Sequence, residues 1–151
     1  MLADPDWNSQ NEHLLFTAIK GGVKQVFAAR LPKEGVRTAG NWIPLTSKVE
    51  GADLARWSAD GARFFYYSRK DGYYCLWENS FDSAKETAGQ ASPLKHFHDA
   101  GKSPSIAFRY LLGISVAKDW IYINVGEVSA IVWAGHLRRN PLSALVRRVF
   151  K

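Results

Sequence analysis

The stretch Ala55-Arg-Trp-Ser-Ala-Asp-Gly-Ala-Arg-Phe-Phe-Tyr-Tyr-Ser-Arg-Lys-Asp-Gly-Tyr-Tyr-Cys-Leu-Trp77 decides the fold class. Phe64–Tyr67 is an aromatic run with no helical stripe, so it reads as a strand. Asp60-Gly61 and Asp71-Gly72 are turn dipeptides on either side of it, of the kind that favours tight hairpins. The stretch therefore predicts strand, turn, strand, hairpin, strand. It also recurs. Laid fifty residues back, Trp57 falls on Trp7, Arg63–Arg69 on His13–Ile19, Gly72 on Gly22, Leu76-Trp77 on Val26-Phe27, and Phe81 on Leu31. A third copy starts at Ile114, with Val-Ala-Lys-Asp over Trp57–Asp60, Trp120–Asn124 over Arg63–Tyr67, and Val132-Trp133 over Leu76-Trp77. A fourth short strand is expected at Trp42–Thr46 and again at Pro93–Phe97. Four antiparallel strands in 40–50 residues is the signature of a propeller blade.

The chain has 151 residues, a length that suits one domain with a real core. Hydrophobic residues make up 46% and charged residues 23%, which excludes wholesale disorder. No apolar run approaches the roughly eighteen residues of a membrane span. No leader opens the chain, so no signal peptide is expected. The one cysteine, Cys75, excludes an internal disulfide and any multi-cysteine metal site. The net charge is +6, and it is uneven. Five basic residues and no acid lie from residue 138 onward, which leaves 15 basic against 14 acidic groups before it. A near-neutral body argues against a nucleic-acid-binding face on the folded part.

Asp4–Phe16 (DPDWNSQNEHLLF) and Ala55–Trp77 resemble the P-x-W-S-x-D-G repeat of TolB-like, WD-repeat-related bacterial β-propellers, and the resemblance runs over residues 3–137. It implies an all-β chain of antiparallel four-stranded blades, the C-terminal blades of a propeller. Three blades are expected, at about 1–50, 51–102 and 103–137, followed by a basic tail over 138–151. The first copy departs at Asn8–Asn11, where the family has Ser-x-Asp-Gly. The third has Val116 in place of the Trp and lacks the turn glycine. Three blades do not close a ring, so the remaining blades of a larger propeller, or a second copy of the chain, are expected to cover the end faces.

The tail predicts a short amphipathic helix. Asn140 suits the N-cap and Pro141 the first turn, and Leu142, Leu145, Val146 and Val149 share one face. The helix is expected to dock on an exposed blade face of the same molecule. Arg138, Arg139, Arg147, Arg148 and Lys151 are the candidate partner-binding residues if it meets a partner protein instead, with an anionic membrane surface or nucleic acid as the further alternative. Trp7, Trp57, Phe65, Tyr67, Trp77, Trp120 and Trp133 are expected to pack between blades.

His96-Phe-His98-Asp99 is the most suggestive cluster. On a strand, His96 and His98 point to one face, as a pair of metal ligands would, with Asp99 beside them. The competing reading is packing at a blade edge, because a zinc site needs further ligands and none stands nearby in sequence. Asp60 and Asp71 read as turn residues. No G-x-S-x-G elbow is present, Ser103 and Ser105 flank Pro104 without an acid–His pair, and Cys75 reads as an inert strand residue.

The expectation is a non-catalytic propeller module for protein–protein interaction or sensing, with no cofactor. The alternative is an accessory propeller of a peptidase or of a bacterial Ser/Thr protein kinase. The resemblance suggests an extracytoplasmic setting.

Overall fold

A computed structural model describes residues 2–31, 41–98, 102–104 and 113–127. They form an all-β structure of antiparallel sheets. The first sheet runs in the order β1 (Leu2–Asn8), β2 (His13–Lys20), β3 (Val23–Arg30), β4 (Ile43–Pro44). The second holds β5 (Asp53–Trp57), β6 (Arg63–Ser68), β7 (Cys75–Asp82), β8 (Thr87–Ala88) and β9 (Ser92–Lys95). Two two-stranded pieces follow: the hairpin of β11 (Ile114–Ala117) with β12 (Trp120–Ile123), and β10 (Lys102–Ser103) with β13 (Gly126–Glu127).

The first sheet has the expected four strands. In the second, a fifth appears because β8 and β9 lie end to end on the same edge of β7: β8 pairs Phe81 and Asp82, and β9 pairs Leu76 to Glu78. Of the third copy, the described residues show β11, β12 and the β10–β13 pair. Val132, Trp133, Leu137 and the whole 138–151 tail, with its predicted helix, lie outside the described residues.

The fifty-residue repeat is visible in the backbone. β2 begins at His13 and β6 at Arg63. β1 shifts register between Ala3 and Asp6, and β5 between Asp53 and Arg56. Each irregularity contains a non-glycine residue with positive φ, Asp4 at 54° and Leu54 at 53°. The same bulge at the same place marks a property of the unit rather than a local accident. The hairpin turns differ. Lys20 pairs Val23 across Gly21-Gly22, whose φ values of 63° and 82° suit the mirror-image turn that matches strand twist. Asp71-Gly72 instead sits in a wider loop between Ser68 and Cys75, so the tight hairpin expected there is not formed.

The layers stack in sequence order. Leu15, Val26, Ala28 and Leu45 of the first sheet meet Trp57, Phe64, Tyr66, Cys75, Trp77 and Phe81 of the second. The opposite face of the second sheet, Phe65, Tyr67 and Leu76, meets Ile114, Val116, Ile121 and Ile123 of the β11–β12 hairpin. β6 is thus buried on both faces, which is why it is an unbroken aromatic run instead of an alternating one. A third cluster, Phe16, Ala18 and Phe27 with Trp42, occupies the far face of the first sheet. The equivalent strands β1, β5 and β11 run side by side, with β5 between the other two.

Asn8 and Asn11 explain the departure from Ser-x-Asp-Gly in the first copy. The Asn8 amide donates to the Ser58 carbonyl at 3.0 Å, and the Asn11 amide to the Gly61 carbonyl at 2.9 Å. Each residue therefore bonds its own repeat equivalent, and the two turns are clamped together. The Asn8 side-chain oxygen Oδ1 also accepts from the Gln10 and Asn11 N–H groups, which shapes its own turn. Further ties join the sheets: the Trp57 indole donates to the His13 carbonyl at 3.2 Å, the Asp6 carboxylate accepts from the Trp57 N–H at 2.7 Å, and Lys24 pairs with Asp53.

The expected packing role holds for Trp57, Phe65, Tyr67 and Trp77, which are buried. It fails for Trp7 and Trp120, which are 48% and 67% exposed. Trp7 stands where Trp57 does, but among the described residues no sheet stands on its side as the first sheet does beside Trp57.

Candidate functional site

Among the described residues, polar side chains gather both where β1, β5 and β11 end and where β9 meets the loop before β7. The first is a groove of about 390 Å³ where β1, β5 and β11 end, lined by Asp6, Trp7, Asn8, Arg56, Ser58 and Ser115 among others. Its position follows from the repeat, because equivalent strands end at one level. Arg56 is held there by the carbonyls of Ala55 at 2.7 Å and Asp4 at 3.4 Å.

The second is chemically sharper. Antiparallel pairing of β7 with β9 sets the start of β7 against the end of β9. It brings Cys75, the first residue of β7, beside Phe97, whose N–H donates to the Cys75 sulfur at 3.2 Å. His96 and His98 flank Phe97. They are not on a strand, as the sequence suggested; they lie just past the end of β9 at Lys95. Their two-residue spacing still turns both rings toward Asp71, in the loop before β7. Asp71 Oδ2 lies 2.9 Å from His96 Nδ1 and 3.0 Å from His98 Nε2. Its Oδ1 accepts the Tyr73 N–H at 3.2 Å, so the turn role expected of Asp71 is met by one oxygen while the other faces the imidazoles. Asp71 Oδ2, Cys75 Sγ and the two imidazole nitrogens all lie within 4.8 Å of one another. Tyr73 lies against the His98 ring at 4.3 Å between centroids, and Trp77 meets His96 edge-on at 5.9 Å.

Sequence reasoning found the two histidines and missed their partners. Asp71 and Cys75 are 25 and 21 residues upstream of His96, and only the strand pairing unites them. Asp99, Ser105 and the five basic tail residues lie outside the described residues.

Burial opposes ionisation of Asp71, but hydrogen bonds from His98, the Tyr73 N–H and His96 outweigh it and hold the carboxyl below its usual range. Cys75 moves the other way. Burial pushes its thiol up, against a smaller opposing effect of the Phe97 N–H, and the Asp71 charge adds to the rise. A nucleophilic cysteine is favoured by the reverse shift and an open approach, neither of which this Cys–His–Asp grouping offers its thiol. Its donor types are those of a metal ligand set.

Asp60, Tyr67 and His13 sit in turns and core outside this cluster. Asp60 is held below its usual range by the Ser58 hydroxyl and the Ala62 N–H, despite a small opposing effect of burial. Burial pushes the Tyr67 phenol up to about 12. His13 is fully buried, edge-on to Phe81 at 5.1 Å, with Nε2 3.4 Å from Glu86.

Comparison of the chain with models of known protein families finds no match, and comparison with curated proteins finds no similar chain.

Proposed function

We propose that the chain is a non-catalytic β-propeller module that acts by binding protein, its end faces docking on further blades of the same kind. One observation carries this reading: repeat-equivalent positions have opposite exposure at the two ends of the stack. Trp57 is 4% exposed where the first sheet covers it, and its equivalent Trp7 is 48% exposed. At the other end, Phe65 is 4% exposed beneath the β11–β12 hairpin, and its equivalent Tyr122 is 60% exposed. Ile121 and Ile123 of β12 face the second sheet just as Phe64 and Tyr66 face the first. Each end thus carries an aromatic residue at a position that interior units use for docking.

A second copy of the chain is the occupant that fits both ends at once. If the Trp7 face of each copy meets the Tyr122 face of the other, two contacts are made and neither end stays open. Propeller rims and the groove at the ends of β1, β5 and β11 then remain for partners. The non-catalytic part of the reading is supported by the sequence, which carries no G-x-S-x-G elbow and no acid–His pair beside Ser103.

The test is the solution mass by light scattering after size exclusion. A particle of twice the 16.9 kDa chain mass is expected. Trp7→Ser combined with Tyr122→Ser, both at exposed positions, should return it to one chain mass with the fold intact. A monodisperse wild-type species of one chain mass would overturn this reading.

A further inference from the structure

We propose that Asp71, Cys75, His96 and His98 form a structural zinc site that fastens the end of β9 to the loop between β6 and β7. The proposal does not depend on the propeller reading. It stands on three observations.

The first is geometry. Four donor atoms from two stretches of chain, 71–75 and 96–98, lie within 4.8 Å of one another. Bonds of about 2.0 Å to nitrogen or oxygen and about 2.3 Å to sulfur place tetrahedral ligands roughly 3.3–3.8 Å apart. The imidazole nitrogens, at 2.9 and 3.0 Å from Asp71 Oδ2, are within a few tenths of an ångström of that spacing.

The second is the support around the donors. The Phe97 N–H points at the Cys75 sulfur, as N–H groups do around metal-bound thiolates. Asp71 is fixed through its other oxygen by Tyr73, and aromatic rings flank both imidazoles. The sulfur is buried while both histidines are exposed, so the cluster has a closed floor and an open rim for entry.

The third is the comparison within the chain. Fifty residues earlier, the same corner of the first sheet holds Gly21, Gln25, Thr46 and Lys48. There Gln25 donates to the Thr46 carbonyl at 3.0 Å, and the Thr46 hydroxyl accepts the Val26 N–H at 3.0 Å. One sheet closes this corner with hydrogen bonds. The other carries a ligand-type residue at each of the four positions.

The donor set selects the metal. A thiolate and two imidazoles suit zinc, and oxygen-seeking calcium and magnesium are excluded. Four protein ligands leave no open position, which makes the site structural and not catalytic. On binding, the Cys75 thiol proton leaves to solvent. Each neutral imidazole keeps its proton on the nitrogen facing away from the metal.

The experiment uses the full chain, stripped with chelator and titrated with cobalt(II) as a visible stand-in. One cobalt per chain is expected, with tetrahedral ligand-field bands and a thiolate-to-cobalt charge-transfer band, both erased by one equivalent of zinc. His96→Gln and His98→Gln, at exposed positions where folding is not at risk, should each weaken binding about 100-fold or more. Cys75→Ser should abolish the charge-transfer band. Lys48→Ala, in the corresponding corner of the first sheet, should change nothing. Absence of the charge-transfer band in the wild type would overturn the proposal, as would unchanged cobalt affinity in both histidine variants.

Discussion

Trp7 and Trp57 occupy the same position in two copies of one unit, and their surroundings are opposite. Trp57 is wedged between sheets, 5.0 Å from Phe81 and 5.9 Å from Phe64 between ring centroids, with its indole N–H bonded to His13. Trp7 lines an open groove. The same pairing holds at the corners, where Gln25 and Thr46 stand against Cys75 and His96. The repeat dictates the strands, bulges and turns, because those depend on residues a few positions apart. Position in the stack dictates burial, because that depends on which sheet stands alongside.

The sharpest way to break this comparison is to truncate the two tryptophans separately. Trp57→Ala removes a buried side chain that the rigid sheets cannot collapse around, and it should cost about 3–5 kcal/mol of unfolding free energy. Trp7→Ala, in dilute solution where no second copy covers it, should cost no more than about 1 kcal/mol. Denaturant unfolding measures both. Equal losses would mean that Trp7 is covered in solution and that the two ends of the stack are not different.

A smaller effect separates two glycines. Gly61 has φ of +68°, and an added Cβ would lie 2.7 Å from Asn8 Oδ1 and 2.8 Å from Asn11 Nδ2. Gly61→Ala must therefore strain the backbone and push apart the asparagine clamp, at a cost of about 2–4 kcal/mol. Gly22 has φ of +82° with open space where a Cβ would go. Gly22→Ala bears the backbone strain alone, about 1 kcal/mol. If the two variants melt alike, the clamp between the turns adds nothing to the junction of the sheets.

The strands were legible because their signals are local. The aromatic run Phe64–Tyr67, the paired glycines at 21–22 and the fifty-residue offset each survive in the structure. Asn8 and Asn11 looked like decay of a motif, and they are instead the groups that grip Ser58 and Gly61. That exchange is invisible from the sequence, since it requires knowing that equivalent turns touch. The candidate metal site was half legible for the same reason. His96 and His98 declare themselves by adjacency. Asp71 and Cys75 join them only once β9 is laid antiparallel along β7, which sets the start of one strand against the end of the other.

The smallest expected effect tests the turns through pH. In the second sheet the turn after β5 uses a carboxylate: Asp60 Oδ1 accepts the Ser58 hydroxyl at 2.6 Å and the Ala62 N–H at 3.0 Å. In the first sheet the corresponding turn uses the neutral Asn8 side chain. Asp60 is ionised more readily in the folded chain than in the unfolded one. Its contribution to stability is therefore complete above the unfolded carboxylate pKa of about 3.9, and it fades as pH falls below that toward the folded value. Asp60→Asn should be slightly less stable than wild type at pH 7 and should lose less stability between about pH 5 and pH 2. Because the carboxylate is exposed to solvent, the difference should be small and should shrink further in salt. Parallel acid-unfolding curves for wild type and Asp60→Asn would show that the two turns differ in sequence but not in how they respond to protons.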